Sequence, residues 1–150
     1  MGFDFVQQLD TYLSARFTLI VVVTPEEERA ILKVKEVCER NSRPCLAWDV
    51  ADGFSLVAGK VGTVDAVKDP LMALERVEKG EDCIFILKDF HDFWGNPQVR
   101  RRLRNVAQRL KYTKKSIIVI THTARVPDEL QDDAVVVHLP SPTTQEIEQV

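Results

Sequence analysis

The stretch CIFILKDFH, residues 83–91, decides how the rest of the chain can be arranged. Residues 83–87 are apolar without a break, and such a run is typical of a parallel strand that helices cover on both faces. The carboxyl ends of parallel strands border the crevice in which open α/β sheets bind their ligands. The sequence therefore predicts that Asp89 and His91 lie at the edge of such a crevice.

The acid at the end of this strand raises the question of nucleotide chemistry. An apolar strand ending in Asp is similar to the Walker B strand of P-loop ATPases, whose acidic end holds the magnesium of a bound nucleotide. Here Phe90 stands where an ATPase places its catalytic glutamate, and Lys88 precedes the acid. The pattern therefore favours a buried strand that ends in a polar turn, and magnesium-nucleotide binding through Asp89 is the weaker alternative.

Four more apolar segments are predicted strands, at residues 17–23, 44–49, 116–121 and 134–139. Helix signals separate them and predict helices over residues 3–15, 24–40, 69–79 and 97–110, with N-caps at Thr24, Asp69 and Asn96. Residues 51–68 fit either a β-hairpin or an irregular flap. Strands that alternate with helices predict an α/β fold, a three-layer sandwich around a five-stranded, mainly parallel sheet.

Length and composition indicate a single domain spanning residues 1–150. The chain is 45% hydrophobic and 29% charged, which is ordinary for a globular protein. No apolar run approaches the roughly 20 residues that a membrane-spanning helix needs, and no signal peptide is recognisable, so we expect a cytoplasmic type of compartment. Three cysteines without C-x-x-C spacing, Cys38, Cys45 and Cys83, are expected to fill the core.

The net charge of −3 hides a strong asymmetry along the chain. Residues 94–115 carry five arginines, three lysines and no acid, a charge of +8 that leaves −11 on the remainder. The predicted helix over 97–110 contains most of these cations, and the candidate partner-binding residues are Arg100, Arg101, Arg104, Arg109 and Lys111.

Two interpretations of this basic helix remain open. It is either a docking surface or a solvated face neutralised by the acids of the helix over 24–40. Arg100, Arg101 and Arg102 crowd the positive amino end of their own helix, which costs stability that an anionic partner would restore.

The loop after the first strand argues against nucleotide binding. A P-loop would read G-x-x-x-x-G-K-[ST] at this position, with glycines that let backbone N–H groups surround phosphate. The chain instead has Thr24, Pro25, Glu26, Glu27 and Glu28. Proline removes a donor and the carboxylates repel phosphate, so we expect no bound nucleotide or other cofactor.

A polar cluster is expected at the crevice, where the strands end, and consists of Asp49, Asp52, Asp89, His91 and His122. A magnesium or zinc site built from these residues is an alternative. The chain has no H-x-x-x-H or D-x-D pattern to support it, and no G-x-S-x-G elbow of a serine hydrolase. We therefore predict no metal and no catalytic residue.

These segments together resemble a known family. The chain looks like the N-terminal domain of an AAA-type ATPase family of bacteria, cyanobacteria and algal plastids (the hypothetical chloroplast frame type). The resemblance covers nearly all of the chain and rests on LSARFTLIVVVTPEEER, AWDVADGF, KDPLMALERVE, CIFILKDFHDF, VRRRLRNVAQRLK, SIIVITHT, VPDEL and VVVHLPSPTTQEI, in that order.

The resemblance implies a degenerate P-loop NTPase-like (RecA-like) sheet with strand order 5-1-4-3-2. Without it, a flavodoxin-like order of 2-1-3-4-5 fits the pattern equally well. Family members continue into a second domain with a genuine Walker A loop, and this ATPase module is missing here. Residues 141–150 begin a helix that is expected to lead towards it.

The function that these observations favour is a non-catalytic interaction or regulatory domain associated with an AAA-type ATPase. Its partner would be the ATPase module or an assembly that the ATPase serves, in the cytoplasm or in the plastid stroma. Two alternatives stay open, a divergent ATP- and magnesium-binding domain and a nucleic-acid-binding module that uses the basic helix over 97–111.

Overall fold

The computed structural model describes residues 4–123 and 125–140, and these residues form one α/β sandwich around a single sheet. The sheet has six strands, β1 Leu19–Val23, β2 Cys45–Asp49, β3 Gly53–Ala58, β4 Ile84–Lys88, β5 Ser116–Thr121 and β6 Val135–His138. Their spatial order is β3-β2-β4-β5-β1-β6, and only the β2–β3 pairing is antiparallel. The predicted α/β class is confirmed. The predicted number of five strands is wrong, because β3 adds an antiparallel strand outside β2.

Strand β3 arises from the segment that the sequence left unassigned. The Asp49 carboxylate accepts hydrogen bonds from the backbone N–H groups of Ala51 and Asp52, at 2.9 and 2.7 Å. Gly53 then adopts φ 77°, a conformation open to glycine at little cost. This tight turn reverses the chain and makes the hairpin of β2 and β3. The hairpin was one of the two alternatives for residues 51–68.

Four helices cover the two faces of the sheet, α1 Phe5–Ser14, α2 Glu27–Arg40, α3 Pro70–Lys79 and α4 Pro97–Arg109. Successive residues of each central strand point to opposite faces. In β1, Ile20 packs with the apolar sides of α1 and α2, whereas Leu19 and Val21 pack with those of α3 and α4. Both faces of the sheet are therefore buried, which explains the unbroken apolar runs.

Local signals predicted two helix starts correctly and one incorrectly. Asp69 caps α3 and Asn96 caps α4, each through side-chain hydrogen bonds to backbone N–H groups and each followed by proline. Thr24 does not cap α2, which begins at Glu27 after an N-cap residue, Glu26, without a side-chain cap bond. The reason is that Thr24 continues the sheet ladder, with its N–H donating to the carbonyl of Thr121 at 2.8 Å.

The three cysteines are free and buried, and desolvation raises the pKa of the Cys83 thiol to about 12. None of the helices in the described part of the chain is long and apolar enough to cross a bilayer. The helix start expected over 141–150 lies outside the described residues.

A matched pair of leucine substitutions tests the buried sheet. Leu87 in β4 is fully buried, and Leu32 in α2 is 64% exposed. Leu87→Ala is expected to lower the free energy of unfolding by about 2–5 kcal/mol, because it leaves a cavity in the core. Leu32→Ala should change it by less than about 0.5 kcal/mol. Urea denaturation measures both, and equal losses would contradict the described packing.

Candidate functional site: the carboxyl-edge crevice and the basic helix

The loop after β1 carries a threonine, a proline and three glutamates where a phosphate-binding loop carries glycines. Thr24 is buried, and its hydroxyl oxygen accepts a hydrogen bond from the N–H of Glu26 at 3.0 Å. The first turn of α2 carries Glu27 and Glu28, which complement the positive amino end of the helix. With Pro25, without a glycine and with two carboxylates at the amino end of α2, the loop differs from a glycine-rich phosphate-binding loop.

Glu27 also lines the crevice, although the sequence predicted it only as part of the loop after the first strand. It lines a cavity of about 230 Å³ together with Asp89 and His122. Desolvation raises the pKa of the Glu27 carboxyl, and the negative charge of Asp89 raises it further. The signal for this position was available, since the loop between β1 and α2 lies at the same edge of the sheet as the residues after β4 and β5.

The end of β4 turns sharply at Asp89. Its N–H donates to the carbonyl of Ile120 at 3.0 Å and its φ is 55°, in the left-handed region. Aspartate tolerates this conformation better than most residues. A short 3-10 turn, Phe90–Asp92, follows immediately, and it brings His91 back to the crevice.

Three of the five residues of the predicted polar cluster come together. Asp89, His91 and His122 each offer a ligand atom within 4.8 Å of the other two. The two imidazole rings meet edge to face, with centroids 4.9 Å apart and an interplanar angle of 82°. The structure thus brings three residues of the predicted polar cluster close together at this edge.

The other two predicted members are placed differently. The Asp49 carboxylate holds the turn into β3 and lies 3.8 Å from the ammonium of Lys88. Asp52 is exposed within that turn. These two acids are not part of the close group of Asp89, His91 and His122, because Asp49, the last residue of β2, and Asp52 belong to the turn between β2 and β3.

The basic helix α4 carries its cations beside acids of the same chain. Arg109 pairs with Glu78 of α3 at 2.8 Å, and Arg100 lies 3.6 Å from Glu129. Asp133 has a side chain only 7% exposed and lies 3.6 Å from Arg104 and 3.7 Å from Lys111. The acids thus come from α3 and from residues 129–133, and not from α2 as the alternative interpretation expected.

The start of α4 shows how its crowded arginines are accommodated. The Arg100 guanidinium donates to the carbonyls of Trp94 and Gly95, both at 3.2 Å. Arg101 is exposed and has no ion pair within the described ranges 4–123 and 125–140. Among the candidate partner-binding residues, Arg101 is therefore the one whose charge is least compensated.

Comparison with known families agrees with the features described above. Residues 5–139 match the family described as "SpoVK-like AAA ATPase, N-terminal domain". The chain belongs to this family. The resemblance stated from the sequence is thereby confirmed.

Curated relatives of this AAA ATPase N-terminal domain are the AAA domain-containing proteins ycf46 of algal plastids. The chain is 36% identical over 149 residues to the protein of Pyropia yezoensis, 34% over 149 residues to that of Trieres chinensis, and 32% over 148 residues to that of Guillardia theta. These alignments cover 96–97% of this chain but only 29–30% of the relatives. The chain thus spans less than a third of their length.

The titration of Glu27 provides a test of the crevice electrostatics of this AAA ATPase N-terminal domain. Asp89→Asn removes a negative charge that raises the Glu27 pKa, so the pKa should fall. It should stay above its ordinary value, because desolvation is the larger cause. NMR titration of the Glu27 carboxyl carbon, with EDTA present, measures both effects. Asp52→Asn is the matched control, and an equal shift in the control would contradict the described geometry.

Proposed function

We propose that this chain is a non-catalytic interaction or regulatory domain that works beside an AAA-type ATPase module. Residues 1–150 would act as one domain with a degenerate P-loop NTPase-like (RecA-like) sheet and without catalytic chemistry of their own. The partner would be the ATPase module or an assembly that the ATPase serves. Family membership supports the association with an ATPase, and the crevice supports the lack of nucleotide chemistry.

The loop after β1 is the observation on which this proposal depends most. A bound nucleotide would need N–H donors there, and it meets the side chains of Glu27 and Glu28. At the neighbouring strand end, Phe90 is fully buried where an ATPase would present a glutamate. Both halves of a nucleotide site are thus occupied by residues that oppose binding or contribute no chemistry.

The outer surface of α4 is the docking surface that we favour. Arg101 is exposed on it, and Arg109 and Lys111 are more than half exposed at their side chains despite their ion pairs. Ion pairs on a protein surface contribute little to stability, so acids of a partner can replace the intramolecular ones at small cost. An acidic protein surface is therefore the chemistry that fits this helix.

Nucleic acid fits this surface less well than an acidic protein does, because acids of the same chain already pair with most of the cations. Binding to a phosphate backbone requires several cations that are free to displace counterions. Four of the five candidate cations already have a carboxylate within 4.0 Å. The exposed aromatic residue near them is Tyr112, 91% exposed, which offers one stacking platform and not a series.

A titration with fluorescent ATP and magnesium tests the first half of the proposal. No saturable binding is expected, because the carboxylates at the start of α2 repel phosphate. The variant Asp89→Ala should behave like the unmodified chain. Saturable binding that disappears in Asp89→Ala would contradict the proposal and favour the divergent ATP-binding alternative.

A charge-reversal experiment tests the docking surface. Arg101→Glu should weaken binding to the AAA ATPase domain of a family member by about tenfold or more, since like charges then face each other across the contact. Arg101 is preferred to Arg100, Arg104 and Arg109, because those three hold intramolecular ion pairs whose loss would confuse the result.

Arg40→Glu is the control for this experiment. It makes the same charge change on an exposed residue of α2, in the opposite helical layer, and breaks only an ion pair with Glu36 in which both side chains are more than half exposed. Binding measured by biolayer interferometry should not change with Arg40→Glu. Equal effects of the two variants, or no effect of Arg101→Glu, would remove α4 as the docking surface.

A further inference from the structure

Two histidines and one aspartate converge where β4 and β5 end. Asp89 follows β4, and its N–H bonds to the carbonyl of Ile120 in β5. His122 follows β5 directly, and His91 returns to the same place through the turn Phe90–Asp92. The convergence is therefore set by sheet pairing and by the left-handed backbone of Asp89, and not by adjacency in the sequence.

The distances between the ligand atoms of these side chains are close to those found around a bound metal ion. Their three ligand atoms lie within 4.8 Å of one another. Ligands at zinc–nitrogen bond lengths of about 2.0–2.1 Å in a tetrahedral site are about 3.4 Å apart. To reach this distance, the ligand atoms need to move at most about 1.4 Å closer to one another. Small rotations of the side chains of Asp89, His91 and His122 provide this movement.

The surroundings of His91 support a ligand role. Its side chain is 11% exposed, and its Nδ1 is buried without a hydrogen-bond partner in the part of the chain that the structure describes. Buried polar atoms are rarely left without a partner. Its Nε2 lies 3.4 Å from a carboxylate oxygen of Asp92, and a carboxylate on one ring nitrogen commonly orients a histidine that binds metal through the other.

The crevice also offers access and a complementary charge. Asp89 and His122 are exposed, so an ion can enter from solvent. Glu27 lines the same cavity as these two residues, and it adds a second carboxylate to the surroundings of the ion. Three protein ligands would leave a coordination position for water or for this carboxylate.

We propose that Asp89, His91 and His122 form a binding site for a divalent transition-metal ion of the zinc type. Two imidazoles and one carboxylate suit zinc and its late first-row neighbours, whereas magnesium and calcium require oxygen ligands. The bound ion would join the loop after β4 to the loop after β5. The site does not depend on nucleotide binding or on the docking role of α4. Its test is therefore independent of the tests of the proposed function.

Calorimetric titration with zinc chloride tests this site in the full chain after EDTA treatment and desalting. One ion per chain is expected to bind, and excess magnesium should not displace it. His122→Ala should weaken binding by about 100-fold or more, and Asp89→Asn should weaken it while keeping a residue that tolerates the left-handed backbone. Lowering the pH should also weaken binding, because protons compete with the metal ion for its ligands.

His138 supplies the matched control, since the chain has three histidines and His138 is exposed at the end of β6. His138→Ala should bind zinc like the unmodified chain. Imidazole ¹H–¹⁵N spectra should show zinc-dependent shifts for His91 and His122 and none for His138. Circular dichroism confirms that each variant is folded. Absence of saturable zinc binding, or binding that His122→Ala leaves unchanged, would overturn the proposal.

Discussion

The parallel pairing of β5 with both of its neighbours is the constraint on which the rest of the structure depends. Val119 of β5 is in register with Val21 of β1 on one side and with Leu87 of β4 on the other. Because the three strands run in one direction and in register, their carboxyl ends meet at one edge. The ladder then continues one residue beyond β1 and β4, through the N–H groups of Thr24 and Asp89. The crevice residues are thus positioned by backbone hydrogen bonds.

The positive and negative charges of this domain are separated along the sequence but lie next to each other in the fold. The segment over 94–115 looks strongly basic when it is read alone. In the fold, Glu78, Glu129 and Asp133 lie against its cations. Asp133 is the most significant of these acids, because its side chain is nearly buried between Arg104 and Lys111. The surface potential of α4 is therefore weaker than its sequence indicates, and Arg101 carries the part that is least compensated.

Much of the fold could be predicted from the sequence because its signals are local. Buried strands correspond to unbroken apolar runs in the sequence. The caps at Asp69 and Asn96 involve only neighbouring backbone groups. The N-cap assigned to Thr24 failed because a long-range hydrogen bond to Thr121 holds that residue in the sheet. Strand β3 was left open because an edge strand begun by a glycine turn has no continuous apolar pattern to identify it.

The candidate site was less predictable than the fold. Position at the carboxyl edge follows from topology, which is why the sequence predicted that Asp89, His91 and His122 lie in one region. The distances between these three side chains depend on the strand register and on the left-handed backbone conformation of Asp89. Neither feature can be recognised as a sequence motif. The same topological argument gave no sign that the Asp49 carboxylate would bond to the turn between β2 and β3.

Position 90 shows why a glutamate does not fit directly after Asp89. Phe90 is fully buried, and its ring meets those of Trp48 and Phe93 edge to face at centroid distances of 5.7 and 5.8 Å. The left-handed conformation of Asp89 costs about 1–2 kcal/mol for most L-residues, and the burial of a large aromatic ring offsets a cost of that size. A glutamate at this position would place a carboxylate among aromatic rings and leave the crevice without a catalytic base. Replacing Phe90 by glutamate would therefore destabilise this edge of the sheet without presenting a base to the crevice.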